Sequence, residues 1–142
     1  MNITIREAIC ADAKKLFELN EKFNGKSDVN IIQIEQSLKD NKQEQVFVAE
    51  NENEIIGFCC VQIFKSFCYA VNYCEITEIY IEESYQHRGI GSLLVNHIEK
   101  HFENTNIKGF QLFTGGENYS AQAFYEKNGY KKTAEIMYRK RI

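Results

Sequence analysis

Hydrophobic and polar positions alternate at the start of the chain, where Ile3 and Ile5 sit between polar neighbours and predict a strand over residues 2–7. The spacing then changes. After Asp12, a residue suited to capping, Ala13, Leu16, Phe17, Leu19 and Phe23 recur at helical intervals, so a helix is expected to about residue 23. The run Gly-Lys-Ser-Asp at 25–28 breaks it, and Ile31, Ile34 and Leu38 mark a second helix over about 30–40. Two β-rich runs, 45–50 and 55–64, flank a turn at 51–54 and read as an antiparallel hairpin. Further along, the pattern predicts a long strand over 69–82, a helix from 89 to about 103 and a strand over 110–114. A helix over 120–128 and one or two closing strands between 130 and 139 complete the chain.

This order, β-α-α-β-β-β-α-β-α-β, predicts an α/β fold of mixed, α+β-like character. A central sheet of six to seven strands would be flanked by about four helices. A right-handed crossover through the helix after Gly91 would lay the strand around 75–81 parallel to that at 110–114. The 142 residues are expected to form a single domain, 1–142, since no proline-rich or glycine-rich linker interrupts them.

Charge and cysteine content narrow the classes of function. A net charge of -3 argues against a nucleic-acid partner, and the short basic run 138–141 is too small to reverse that. No apolar run approaches the ~20 residues of a membrane span. Five cysteines, Cys10, Cys59, Cys60, Cys68 and Cys74, include no Cys-x-x-Cys pair and predict reduced thiols in a cytoplasmic protein. No metal is expected either: His87, His97 and His101 lack ligand spacing, and the last two read as surface residues.

The chemistry concentrates after the long strand, in Gln86-His87-Arg88-Gly89-Ile90-Gly91-Ser92. A basic loop that follows a strand and opens a helix is an anion cradle, because the first-turn amides have no intrahelical partner and the macrodipole is positive there. Gly89 and Gly91 let the backbone approach a bulky phosphate. A dinucleotide fingerprint would need a small residue where Leu94 stands, and no Walker sequence is present. What fits is Gln86-x-x-Gly89-x-Gly91. A second stretch, Asn118-x-x-Ala121-x-x-Phe124-Tyr125-x-x-x-Gly129-Tyr130, is a helix with polar caps at both ends.

The two motifs, in this order and with a strand between them, resemble those of the GNAT superfamily of acyl-CoA-dependent N-acyltransferases. The resemblance implies acetyl-CoA as co-substrate, with no metal. Backbone groups of Ile79 and Ile81 would pair with the pantetheine arm as if it were an added strand. The amides of residues 86–91, including those of His87, Arg88 and Ile90, would hold the diphosphate together with Ser92. Asn118, with Ala121 and Phe124 on its helix, would contact the pantetheine, and Tyr125 would donate to the sulfur. The amide of Ile79 or Tyr80 would serve the oxyanion.

Acyl transfer to an amine also needs a base. Glu75 and Glu78 lie on the strand that would run beside the thioester, but three positions apart, so a regular pleat sends them to opposite faces. A β-bulge, common in this strand of the family, would alter that. The paired form resembles bacterial small-molecule enzymes such as the aminoalkylphosphonate and aminoglycoside acetyltransferases. Glu78 is expected as general base, with Glu75 second or as a water-relay partner, and Tyr125 as general acid. The reading is acetyl transfer to a small-molecule amine by direct attack. Alternatives are a protein or peptide acceptor, a non-catalytic acyl-CoA sensor, and a covalent acyl-cysteine route. Walls of the acceptor pocket are sought in Phe67, Tyr69, Tyr73 and Tyr80, with Asp28 or Glu35 to meet a cation. The last strands could pair between subunits in a homodimer.

Overall fold

A computed structural model describes residues 1–142, and the chain divides into two units, residues 1–112 and 113–142. The first contains β1 (Ile3–Glu7), α1 (Ala13–Asn24), α2 (Ile31–Asp40), β2 (Glu44–Asn51), β3 (Glu54–Phe64), β4 (Asn72–Ile81), α3 (Ile90–His101) and β5 (Ile107–Gln111). The second contains α4 (Tyr119–Lys127).

Five strands form one sheet in the order β1-β2-β3-β4-β5, antiparallel except for the parallel β4–β5 pair that the crossover predicts. The β2–β3 hairpin turns through Glu52 and Asn53, both at positive φ (50° and 71°), which matches the twist of the strands it joins. The sheet is one or two strands smaller than expected, because residues 130–142 form none. A strand persists only with a partner, residues 113–142 hold no second one, and Ile136 and Tyr138 stand exposed. β5 also begins three residues earlier than the pattern suggests. Ile107 is buried there, and Gly109 lies under the Tyr73 ring, where a Cβ would come within 2.6 Å of Cε1.

Each face of the sheet is covered. On one, Phe47, Cys59, Val61, Cys74 and Ile76 are buried, and α3 contributes Leu94, Val95 and Ile98. His101 is exposed as expected and His97 is half-buried, and both set their rings edge-on against Phe47, at 5.2 and 5.8 Å. On the other face, Leu16 and Leu19 of α1 pack with Val48, Ile55 and Phe58, and Ile34 and Leu38 of α2 close the edge. Each buried leucine contributes about 2 kcal/mol by removal from water.

Asp12 does not cap α1 as expected. Its carboxylate accepts from both Arg6 guanidinium nitrogens (2.8 and 2.9 Å) and from the Ile9 amide (2.8 Å), while Arg6 also reaches Glu50. A bidentate charged partner outcompetes a helix amide for the same oxygens.

Candidate active site

β4 positions the chemistry through two irregularities. Its register with β3 runs Glu75↔Gln62, Ile76↔Val61, then Glu78↔Cys60, so Thr77 is an extra residue, the anticipated bulge. The Thr77 hydroxyl donates to the Cys60 carbonyl (3.2 Å) and fixes it. Without the bulge Glu78 would turn to the α3 face. With it, Glu75, Glu78 and Tyr80 share the α1/α2 face, beside Cys60 and Gln62 of β3 and Glu44 of β2.

The second irregularity is a gap. Parallel pairing with β5 ends at Glu75↔Gln111, so from Ile76 to Ile81 the β4 backbone has no strand on that side. Ile79, Tyr80 and Ile81 lie along this unpaired edge, which offers main-chain donors and acceptors to an extended amide-containing ligand.

Beyond β4, a short 3₁₀ turn at Glu83–Tyr85 leads into the glycine loop. His87 (φ 62°) and Gly89 (φ 80°, ψ 5°) are both left-handed, the kind of loop conformation in which successive N–H groups can converge on an anion at the start of α3. Ile90, Gly91 and Ser92 form the first turn, whose amides lack intrahelical acceptors. A Cβ built on Gly89 meets nothing within 4 Å, so what restricts that position is its φ, not crowding by the protein. Gln86 does not face the loop interior. Its Nε2 donates to the Ile81 carbonyl (2.7 Å) and ties the loop back to the strand. Arg88 lies over the Tyr85 ring, 5.6 Å from its centre.

The carboxylates differ in their surroundings. Glu75 accepts from Gln111 Nε2 (3.1 Å), which holds it across the end of the β4–β5 pairing. Partial burial pushes Glu78 above the ordinary carboxylate range. Glu44 is pushed up as well, first by burial and then by the charge of Glu78. Nothing in the local sequence around Glu44 marks it as a site residue. Only the register across three strands brings it to the same face.

Cysteine chemistry is disfavoured here. Cys60, between these carboxylates, is raised far above its usual range by burial and by Glu44, Cys59 and Glu78. Burial raises Cys59 too, and Cys74 is pushed up to about 11. Protonated thiols are poor nucleophiles.

The pocket residues proposed from sequence do not converge. Phe67 and Tyr69 are exposed in the β3–β4 connection, and Tyr73 packs on Gly109. Tyr80 alone is engaged near the bulge, stacked on Phe23 of α1 at 5.0 Å. Asp28 lies exposed before α2, and Glu35 is an exposed residue within it.

The second motif belongs to residues 113–142 and is well formed within them. Asn118 caps α4 by accepting from the Ala121 amide (3.2 Å). Gly129 ends the helix at φ 91°, and the Tyr125 ring packs edge-on against Phe124 and Tyr130 at 5.2 and 6.0 Å.

A mixed sheet whose parallel pairing stops short of a glycine loop at a helix start defines a class of α/β fold with an open strand edge beside an anion cradle. Residues 10–130 match the profile of the acetyltransferase (GNAT) family, and the chain belongs to that family. Among curated relatives, it is 31% identical over 81 residues to the uncharacterized protein YxbD of Bacillus subtilis, covering 57% of this chain and 46% of that one. It is 26% identical over 141 residues to the uncharacterized N-acetyltransferase CT2212 of Chlorobaculum tepidum, covering 97% and 81%. The chain thus spans about half the length of the Bacillus relative. Among solved structures, a possible acetyltransferase from Clostridium difficile 630 superposes with a TM-score of 0.82 at 22% identity, over 100% of this chain and 99% of that one. AAC(6')-Iy, in complex with the bisubstrate analogue CoA-S-monomethyl-acetylneamine, gives 0.83 at 21% over 100% of both. These likenesses extend the fold along the whole chain.

Proposed function

We propose that this protein transfers an acetyl group from acetyl-CoA to a primary amine of a small molecule, by direct attack within a ternary complex. The observation that carries the reading is the unpaired β4 edge from Ile76 to Ile81, ending in a loop with two left-handed residues at the start of α3. An extended arm with amide groups fits the edge, and a diphosphate fits the loop. Bound there, acetyl-CoA supplies an activated thioester.

The chain's own groups supply the rest of the proposed chemistry. Glu78, raised in pKa and on the acceptor face, takes the proton that an ammonium must lose before its nitrogen can attack. The Ile79 or Tyr80 amide polarises the carbonyl. Tyr125, assigned by the family motif, gives a proton to the departing sulfur. Glu75, already engaged by Gln111, is the relay partner. The raised thiols of Cys59, Cys60 and Cys74 favour direct transfer over an acyl-cysteine. No helix is long and apolar enough to cross a membrane, and five free thiols fit the reducing cytoplasm.

Thiol release from acetyl-CoA, measured against a panel of small amines and lysine peptides, tests this. Amine-dependent release with small molecules is the expected result. Tight CoA binding without turnover would make the protein a sensor, and activity on peptides alone would make it a protein acetyltransferase.

A further inference from the structure

A cavity of about 590 Å3 opens between the last turn of α1 and the end of β4, lined by Lys22, Tyr80, Glu82, Glu83 and Ser84. Its volume is that of a small-molecule site. None of its charged side chains has a role in the reading above, yet the cavity adjoins the proposed base. Tyr80 lies two residues beyond Glu78 on the same sheet face, about 7 Å along the strand.

An ammonium is already held in this cavity. Lys22 Nζ donates to the Glu82 carboxylate. The two partners differ in freedom. The Lys22 side chain is 50% exposed and sits on a flexible stem, so it can leave for water. The Glu82 side chain is 18% exposed, and its backbone N–H is tied to the Ile56 carbonyl (2.8 Å), so it stays. The cavity therefore carries a fixed carboxylate whose counter-ion is tethered and displaceable. Glu83 adds a second carboxylate, against the single cation of Lys22.

We infer that Lys22 stands in for part of the substrate: the acceptor is a diamine or polyamine whose reacting nitrogen lies at Glu78 and whose distal ammonium takes the place of Lys22 on Glu82. This rests on the amine-acetylation reading and names the acceptor class for it. Glu82 lies four positions beyond Glu78, just past the end of β4 and about 13 Å along extended chain, so the two nitrogens stand on the order of 10 Å apart. An acceptor with an anionic tail would also reach Lys22, but it would leave Glu82 unpaired and Glu83 repelled, so charge complementarity selects the cation. Glu82 and Lys22 are then specificity residues: one holds the distal charge and the other competes with it.

The test compares octylamine with 1,8-diaminooctane as acceptors for the wild-type protein, Glu82→Gln and Lys22→Met, by thiol release from acetyl-CoA. After a twofold correction for its two ends, the diamine should have a kcat/KM at least about tenfold higher in the wild type, mostly through KM. That ratio should fall toward one in Glu82→Gln and rise several-fold in Lys22→Met, where the competing ammonium is gone. Each ratio is taken within one protein, so partial misfolding of a variant cancels. A ratio near one in the wild type, a ratio unchanged in Glu82→Gln, or a ratio lowered in Lys22→Met would overturn the inference. So would turnover of other amines with neither of these two. Acetyl-CoA binding with no amine turned over would overturn the acetylation reading itself.

Discussion

Glu78 is the residue on which the proposed chemistry turns. A carboxylate raised by burial is protonated more readily in the folded chain than in the unfolded one. Its ionised form therefore costs stability above the folded pKa, and that cost is relieved as pH falls through it. The same holds for Glu44. Replacing Glu78 by Gln should thus leave Tm at pH 7 unchanged or slightly higher. Turnover should fall by roughly 10²–10⁴-fold, and the acidic limb of kcat/KM, set above the usual carboxylate range in the wild type, should disappear. A drop of several degrees in Tm would make Glu78 a structural residue instead. Gly89→Val is the complementary substitution. The protein has room for the side chain, but φ 80° costs a β-branched residue ~1–2 kcal/mol, and its methyls enter the space proposed for the diphosphate. CoA affinity measured by calorimetry should be lost while the fold persists; intact affinity would move the diphosphate elsewhere. Glu75, Glu78 and Gly89 were legible because they sit in local motifs. Glu44 was not, since its place beside Glu78 depends on the pairing of strands far apart in sequence.

At the scale of elements, the bulge at Thr77 and the end of β5 pairing at Glu75 are two residues apart. A bulge bends its strand and increases local twist, a distortion that disfavours parallel pairing continued past it. Deleting Thr77 would restore an unbroken β3–β4 ladder with Glu75 and Glu78 still on one face. The expected outcome is a folded protein whose CoA affinity is at least about tenfold weaker because β4 straightens toward β5; unchanged affinity would dissociate the bulge from the gap. The hairpin, α1 and the parallel pair were readable from periodicity and turn residues. The limits of β5 were not, because they depend on Tyr73 finding a glycine at position 109. The strands expected after residue 130 rested on alternation alone, and alternation carries no information about a partner.

For the whole molecule, Arg6 is a junction. It joins β1 to Glu50 on β2 and to Asp12, which is buried ahead of α1. Breaking such a group by removing one partner costs ~3–5 kcal/mol when it is fully buried; with Arg6 still 30% exposed, Arg6→Met should cost about 2 kcal/mol in denaturant melts. Asp12 is held below its usual pKa: burial opposes the shift, but the hydrogen bonds from Arg6 and Ile9 prevail. Its contribution to stability is therefore present above the unfolded pKa and lost as pH falls through the folded one. Acid unfolding of Arg6→Met should begin at higher pH than in the wild type, and coincident acid transitions would show that the junction contributes little. None of this was visible in the sequence, where Asp12 read as a cap, because the competing donor arrives from a different element.

The β4–β5 seam is closed at one end only. There the Tyr73 ring rests on Gly109 and Gln111 clasps Glu75. Such a seam behaves as a zip held by its last tooth, and position 109 is where that tooth seats. A side chain added at Gly109 would strike the Tyr73 ring, loosen the closed end and lengthen the unpaired edge of β4.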